Sequence, residues 1–231
     1  MSTATDRIVG PKRGILPALE PGDCLDQETF HERYRAMPEE IKAELVGGIV
    51  FMPAAMKRPH GRVHRLLMHW LSAYEVATPG VESYDNTTTI LGNDSEPQPD
   101  ACLIVVPEKG GQMRFTEDDY LEGAPEFAAE VASSTDSYDL HGKKHDYETA
   151  GVKEYLVVAL RQSSVVWFIN QNGKFEDAAP SQDGIFQSKE FPGLWLDPEA
   201  LLKLDGQRVL DVLQSGLALD EHDEFVRRLA D

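Results

Sequence analysis

Two carboxylates and one amine make residues 97–159 the stretch of this chain best suited to chemistry. Asp100 precedes one apolar run, Glu130 lies inside a second, and Lys143 follows shortly afterwards. If the second run is a strand, alternation places Glu130 on the same face as two alanines. A charge in such surroundings costs several kcal/mol unless it is paired, protonated or bound to a metal. The pattern therefore indicates that Glu130 has a partner, either another side chain or a cation.

The elements that would position these groups follow from the hydrophobic pattern. Three continuous apolar runs predict buried strands at 101–106, 127–132 and 154–160. Between the last two strands, a helix over 139–150 that stops at Gly151 would place Asp139, Lys143 and Tyr147 on one face. Continuous rather than alternating runs favour a sheet covered on both faces, so the expected fold class is α/β.

An ordered set of residues resembles the Uma-type putative restriction endonuclease family of the PD-(D/E)xK, or restriction-endonuclease-like, superfamily. The similarity extends over roughly residues 25–204 and rests on Glu44, Pro99-Asp100, Glu130-Val131, Asp139, Lys143, Tyr147, Gly151-Val152-Lys153-Glu154-Tyr155 and Phe191-Pro192-Gly193-Leu194.

The resemblance implies a central mixed β-sheet flanked by helices, with added β-strands, and Mg²⁺-dependent hydrolysis of DNA phosphodiester bonds. It makes Asp100, Glu130 and Lys143 the catalytic residues, and it adds the backbone carbonyl of Val131 to the two carboxylates as a ligand of Mg²⁺ or Mn²⁺. Such a metal acts as a Lewis acid and lowers the pKa of its bound water. Lys143 would orient that water or stabilise the charge that builds on the phosphate.

Two further residues have accessory roles by the same resemblance. Glu44 would be an additional carboxylate beside the metal, and Tyr147 would hold Lys143 or Glu130 in place. Each residue also has a purely structural interpretation: Glu44 as a solvated strand end, Asp100 as a strand-start cap, Lys143 as a helix lysine paired with an acid, and Tyr147 as a core aromatic. Taken together as an ordered set, the residues favour the metal site.

The chain departs from the plain (D/E)xK pattern, which would place a lysine at position 132. Ala132 stands there instead, and in the resembled family the lysine comes from the following helix, which here is Lys143. Ser134 also replaces a usual proline, and the loop is one residue shorter. These changes leave the acidic residues intact.

A basic segment interrupts an otherwise acidic chain. From residue 51 to residue 74 there is no Asp or Glu, and residues 60–75 show the apolar spacing of an amphipathic helix. This segment is the candidate DNA-binding surface, formed by Lys57, Arg58, His60, Arg62 and Arg65. The alternative is a basic helix that only pairs with acidic neighbours. His60 and His64 have the spacing of a zinc motif but lack its glutamate, which disfavours a metalloprotease.

The rest of the chain predicts a single domain with two appendages. Residues 1–24 read as an N-terminal arm, 25–204 as the restriction-endonuclease-like domain, and 205–231 as a helical extension packed on it. Within these we expect a helix over 25–35, a hairpin around Gly47-Gly48, strands on either side of Asp85-Asn86, further strands at 165–169, 173–176 and 184–191, and one closing helix over 210–229.

Composition limits the function classes. The formal net charge of −18 should repel DNA at long range, although screening at physiological salt leaves room for a local basic patch. Two cysteines and the absence of a long apolar run predict a cytoplasmic protein with no membrane span. A homodimer is expected if both DNA strands are cut. Two alternatives stay open: a catalytically inactive nuclease fold that acts as a binding or scaffold module, and an acidic protein that binds basic partners.

Overall fold

The computed structural model describes residues 16–53, 55–133 and 138–230, except for the side chains of residues 138–140. Its helices are α1 (Gln27–Arg35), α2 (Arg58–Ala77), α3 (Lys144–Ala150), α4 (Pro198–Lys203), α5 (Gly206–Leu217) and α6 (Asp220–Ala230). Its strands are β1 (Glu44–Val46), β2 (Ile49–Phe51), β3 (Val81–Asp85), β4 (Thr89–Ile90), β5 (Ala101–Val105), β6 (Arg114–Phe115), β7 (Leu121–Glu122), β8 (Phe127–Ala132), β9 (Glu154–Ala159), β10 (Ser164–Gln171), β11 (Lys174–Asp177), β12 (Phe186–Gln187) and β13 (Trp195–Leu196).

A six-stranded mixed sheet forms the centre of the fold, in the order β11-β10-β9-β8-β5-β3. Strands β8 and β9 are parallel, and the other neighbouring pairs are antiparallel. Three smaller sheets, β1-β2, β12-β13 and β4-β7-β6, add strands around it. This arrangement confirms the α/β class with a central mixed sheet and added strands.

The two faces of β8 enter two different cores, as alternation along a strand requires. Phe127, Ala129 and Val131 pack in the larger core with α2, α4, α5 and α6. Ala128 and Ala132 pack in a second core with Tyr147 of α3. The predicted strand, its register of faces and the position of Glu130 among alanines are all confirmed.

Helix α2 crosses the sheet through a continuous apolar stripe. Leu67, Trp70, Leu71 and Tyr74 are completely buried, and each such side chain contributes about 1.5–3 kcal/mol of apolar transfer free energy. Trp70 Nε1 donates to the carbonyl oxygen of Trp195 at 2.9 Å. The predicted amphipathic helix therefore exists, and its buried face fixes its rotation about its own axis.

The hairpin β1-β2 turns through Gly47 and Gly48, whose φ angles are 57° and 74°. Two successive positive φ values are those of a type I′ turn, which glycine adopts without steric cost. The N–H of Gly47 donates to Asp146 Oδ2 of α3 at 2.9 Å. This contact ties the hairpin to α3 and brings Glu44, the first residue of β1, toward the same helix.

Two expectations need correction. The closing helix is divided at Ala218 and Leu219 into α5 and α6, where three acidic residues in the first turn of α6 favour a new helix start. The strand expected over 184–191 is reduced to the two residues of β12, and α4 precedes α5. The strands expected on either side of Asp85-Asn86 are confirmed as β3, which joins the central sheet, and β4, which pairs with β7.

The helix expected over 139–150 is a π-helical turn (Tyr138–Lys143) continued by α3. It ends as predicted at Gly151, whose φ is 92°. The side chain of Asp139, Ser134 and the shortened loop lie outside the described residues, as does most of the predicted arm. From residue 16 onward the arm is described, and Leu19 packs into a small core with the β1-β2 hairpin. None of the described helices is both long and apolar enough to cross a bilayer.

Candidate active site

Asp100 lies just beyond the end of a strand ladder. The last pair of the antiparallel ladder between β5 and β8 is Ala101 with Ala129. Beyond it, the N–H of Val131 donates to Asp100 Oδ2 at 2.7 Å, so a side chain replaces the missing strand partner. Asp100 is 8% exposed. The site therefore forms where β5 begins and β8 nears its end, at one edge of the central sheet.

Glu130 receives two donors from the helical segment that covers its face of the sheet. Lys143 Nζ lies 2.8 Å from Glu130 Oε1, and the Tyr147 hydroxyl donates to the same oxygen at 2.9 Å. Glu130 is 3% exposed and Tyr147 is completely buried. Because β8 and β9 are parallel, the chain must cross over the sheet between them, and this crossover brings Lys143 back onto Glu130.

Glu44 joins the same network from the hairpin. Lys143 Nζ lies 2.8 Å from Glu44 Oε1, and the N–H of Gln98 donates to that oxygen at 2.6 Å. Glu44 is 6% exposed, so it is not a solvated strand end. One buried ammonium group is thus shared by carboxylates from β1 and β8.

The electrostatics of the site favour an ionised Asp100. Burial raises the pKa of Asp100, but hydrogen bonds from His60 and Val131 and the charge of Lys143 outweigh burial and hold that pKa below its ordinary value. Burial, followed by the charge of Glu130, raises the pKa of Tyr147 well above its ordinary value, so the hydroxyl stays protonated and can only donate to a carboxylate.

Helix α2 contributes two histidines to the site, and one of them corrects an expectation. His60 was predicted to face DNA, but it is 6% exposed and its Nε2 lies 3.1 Å from Asp100 Oδ2. His64 Nε2 lies 2.8 Å from the carbonyl oxygen of Asp100. The spacing of four residues on the apolar edge of the helix was the available signal that both face inward. The remaining predicted cations, Lys57, Arg58, Arg62 and Arg65, are exposed.

Across the part of the chain that the structure describes, no three or more His, Cys, Asp or Glu side chains are grouped as a metal cage. A Mg²⁺ site made of two carboxylates and a backbone carbonyl would not meet that description, because Mg²⁺ commonly takes only one or two carboxylates and keeps several waters.

Burial alone does not single out Glu130. Glu96, Glu126 and Glu154 are 0%, 4% and 1% exposed, and burial raises the pKa of each of these three carboxyl groups. Each accepts hydrogen bonds from backbone N–H groups or from neighbouring polar side chains, and none contacts Lys143 in the described structure. What distinguishes Glu130 is that it shares Lys143 with a carboxylate from another element, Glu44 of β1, and that the next residue of β8, Val131, contacts Asp100.

Comparison with known proteins bears on the same region. The model of the Uma2 family, described as "Putative restriction endonuclease", matches residues 28–199. No curated protein matches the chain. Among solved structures, one from Anabaena variabilis ATCC 29413, titled a putative nuclease belonging to DUF820, superposes with a TM-score of 0.52 at 13% identity. The match covers 74% of this chain and 97% of that one, and at this identity it establishes similarity of fold.

Proposed function

Because the chain belongs to the Uma2 family, we propose that it is an endonuclease that uses Mg²⁺ or Mn²⁺ to hydrolyse phosphodiester bonds of DNA. The observation that carries this proposal is the single hydrogen-bonded network that joins Glu44, Glu130 and Lys143, with Asp100 held against the next residue of β8, Val131. Its members come from four separate parts of the chain, and ordinary core packing does not require them to meet.

The donor set suits a hard divalent cation. Asp100 and Glu130 offer carboxylate oxygens, which Mg²⁺ prefers. The N–H and C=O of one residue in an antiparallel strand point to the same side, so the carbonyl of Val131 is directed to the edge where its N–H meets Asp100. These three groups are the proposed ligands. When bound, the cation would polarise the phosphate and lower the pKa of a coordinated water.

Lys143 supplies the fixed positive charge of the proposed reaction. Its ammonium is 4% exposed and lies between two carboxylates, which favours its charged form. A charged lysine cannot accept a proton, so its role is to orient the attacking water or to stabilise negative charge on the phosphate, rather than to act as a general base. Tyr147 fixes the orientation of Glu130 by donating to it, and Glu44 holds the other side of the ammonium group.

The exposed face of α2 supports DNA as the substrate. Lys57, Arg58, Arg62 and Arg65 are exposed, and in the described structure no carboxylate forms a salt bridge with any of them. Arg58, Arg62 and Arg65 share one helix face, at i, i+4 and i+7. The first turn of α2 contains no acidic residue and its N-cap side chain makes no capping bond, so the positive end of the helix dipole also favours phosphate here.

The direct test is metal-dependent nicking of supercoiled plasmid by the purified protein. We expect cleavage with Mg²⁺ or Mn²⁺, none with chelator, and a loss of about 100-fold or more in D100N and E130Q. The matched control is E154Q, which alters an equally buried carboxylate outside the network and should retain activity. Equal cleavage by wild type, D100N and E130Q, all folded, would contradict the proposal.

Cleavage of both strands is most simply achieved by two copies, so we expect a homodimer in the presence of duplex DNA. Sedimentation equilibrium of the active protein, with and without a short duplex, measures this directly. A monomer that still makes double-strand breaks would contradict the expectation while leaving the chemistry intact.

A second candidate is a nuclease-like binding or scaffold module without catalysis. The observation in its favour is that Lys143 already pairs with both Glu44 and Glu130, so these buried acids have a charged protein partner even without a metal. Calorimetric titration with Mn²⁺ separates the two candidates: heat of binding that disappears in D100N supports the endonuclease, and no binding by a folded sample supports the module.

A further inference from the structure

Helix α2 contacts Asp100 at two points one helical turn apart. His60 Nε2 lies 3.1 Å from Asp100 Oδ2, and His64 Nε2 lies 2.8 Å from the carbonyl oxygen of Asp100. An ionised carboxylate and a carbonyl oxygen can only accept hydrogen bonds. Both histidines therefore carry a proton on Nε2 and donate it, one to the side chain and one to the backbone of the same residue.

The two donors to the carboxylate of Asp100 use the same oxygen. His60 and the N–H of Val131 both donate to Oδ2, whereas in the described parts of the chain no hydrogen bond reaches Oδ1. Two donors that approach one oxygen from different elements, α2 and β8, fix the rotation of the carboxylate plane. Oδ1 is then the oxygen that is available to a cation.

We propose that His60 is a positioning residue, which together with the Val131 N–H fixes the Asp100 carboxylate so that Oδ1 binds the metal. This inference rests on the proposed function and deepens it. Groups that hold a metal ligand in place commonly change metal affinity by about 10–100-fold when removed. His60 would contribute in this way without contacting either the metal or DNA.

Helix α2 carries the proposed DNA contacts and the proposed positioning residue on different faces. Arg58, Arg62 and Arg65 are exposed on the outer face, while His60 is buried about half a helical turn away around the axis. A substitution at His60 can therefore change metal binding while it leaves the DNA-facing cations as they are.

Two amide side chains of different length provide matched variants at position 60. The Nε2 atom of glutamine lies as many bonds from Cα as Nε2 of histidine, so H60Q can still donate to Asp100 Oδ2. The Nδ2 atom of asparagine lies one bond closer, so H60N keeps an amide but loses the contact. H69Q is the control, because His69 is exposed on the same helix.

Calorimetric titration with Mn²⁺ tests the inference on the full chain. We expect H60N to raise the Kd by about 10-fold or more, and H60Q and H69Q to stay near the wild-type value, with thermal unfolding confirming that all four proteins are folded. In plasmid cleavage, H60N should raise the half-saturating Mn²⁺ concentration and approach the wild-type rate at saturation. A structural defect alone would not be repaired by H60Q.

The outcomes distinguish this inference from the proposed function. If wild type binds Mn²⁺ and cleaves, but folded H60N binds Mn²⁺ equally well, the positioning role is wrong and the endonuclease stands. If folded H60Q fails as H60N does, the hydrogen bond is not the reason. If wild type neither binds Mn²⁺ nor cleaves, the endonuclease is wrong and the positioning role falls with it.

Discussion

At the scale of single residues, Lys143 determines the charge balance of the site. Its ammonium lies 2.8 Å from a carboxylate oxygen of both Glu44 and Glu130, and it is almost completely buried. Removing one partner of a buried ion pair is costly because it leaves an uncompensated charge away from water. Lys143 therefore has a structural role without metal, and in the proposed reaction it also has a chemical role.

Replacing Lys143 by methionine should separate these roles. Without metal, K143M leaves two buried carboxylates unneutralised, and we expect it to be less stable than wild type by about 3–5 kcal/mol in urea unfolding. Mn²⁺ should restore part of that loss, since a bound cation stabilises the folded state, while cleavage stays at least about 100-fold below wild type.

K144M is the control, since Lys144 packs over the ring of Phe168 rather than against the carboxylates. If K143M were as stable as K144M without metal, the buried ion pairs would not have the structural importance assigned to them.

The sequence predicts some residues of the site correctly but misplaces one of them. Asp100, Glu130 and Lys143 were identified as an ordered set, and the structure places Lys143 against Glu130 and Asp100 beside Val131. The inward position of His60 was missed, because the basic composition around it favoured a surface interpretation. The position of His60 on the apolar edge of α2 indicates that its side chain faces inward. Its partner, Asp100, is known only from the contact in the structure.

At the scale of elements, Glu154 connects β9 to the turn that carries Phe191-Pro192-Gly193-Leu194. Its Oε1 accepts the N–H groups of Lys189 at 2.6 Å and Glu190 at 3.0 Å, and its Oε2 accepts the Ser188 hydroxyl at 2.8 Å. The turn that follows needs glycine, since Gly193 has a φ of 86° and a Cβ there would lie 3.0 Å from the carbonyl oxygen of Gly216 in α5. A buried acid thus secures the approach of α5 to the sheet.

The pH dependence of stability should reveal this buried acid. Burial raises the pKa of Glu154 above its ordinary value of 4.5, so the folded state binds the proton more tightly than the unfolded state. The contribution of Glu154 to the free energy of unfolding therefore decreases as pH rises above 4.5, by at most about 1.4 kcal/mol per pH unit. Glutamine can keep the backbone contacts without ionising.

We expect E154Q to gain stability relative to wild type as pH increases from 4 through the folded-state pKa, measured by urea unfolding at several pH values. A difference between the two proteins that does not vary with pH would show that Glu154 titrates alike in both states.

Most elements could be predicted from the sequence, but their pairing could not. Helices α1 and α2, the β1-β2 hairpin and strands β5, β8 and β9 follow from capping, periodicity and turn residues within one segment. The division between α5 and α6 had a local signal in the acidic first turn of α6, whereas the placement of β4 outside the central sheet depends on tertiary packing. The entry of Glu44 into the site likewise depends on the contact of Gly47 with Asp146, residues 99 positions apart.

At the scale of the whole molecule, a net charge of −18 must be reconciled with DNA as substrate. At physiological salt, the repulsion between the net charges of the chain and DNA is largely screened beyond about 8 Å. The attraction between a phosphate and a cation in direct contact is screened much less. The exposed cations of α2 belong to the same helix as His60, which contacts Asp100 from the opposite face. We therefore expect weak binding that depends strongly on salt and on this one helix.

Neutralising Arg62 and Arg65 together should test that local interaction. For R62Q/R65Q we expect weaker binding to duplex DNA and a slope of log affinity against log salt that is smaller by about 2, since each phosphate contact contributes about 0.9. Fluorescence anisotropy with a labelled duplex and Ca²⁺, which avoids cleavage, measures both quantities.

The control variant R227Q/R228Q removes the same charge from exposed positions at the end of α6. If both double variants lowered affinity and slope equally, net charge rather than the α2 surface would govern DNA binding.

The central claim is that Asp100 and Glu130 bind one divalent cation beside Lys143. The most direct measurement is anomalous scattering from crystals soaked in Mn²⁺. We predict one peak about 2.1 Å from Asp100 Oδ1 and from a carboxylate oxygen of Glu130, which is absent from D100N crystals treated identically. Well-ordered wild-type crystals with no peak at this position, and with Lys143 still bridging Glu44 and Glu130, would contradict the account.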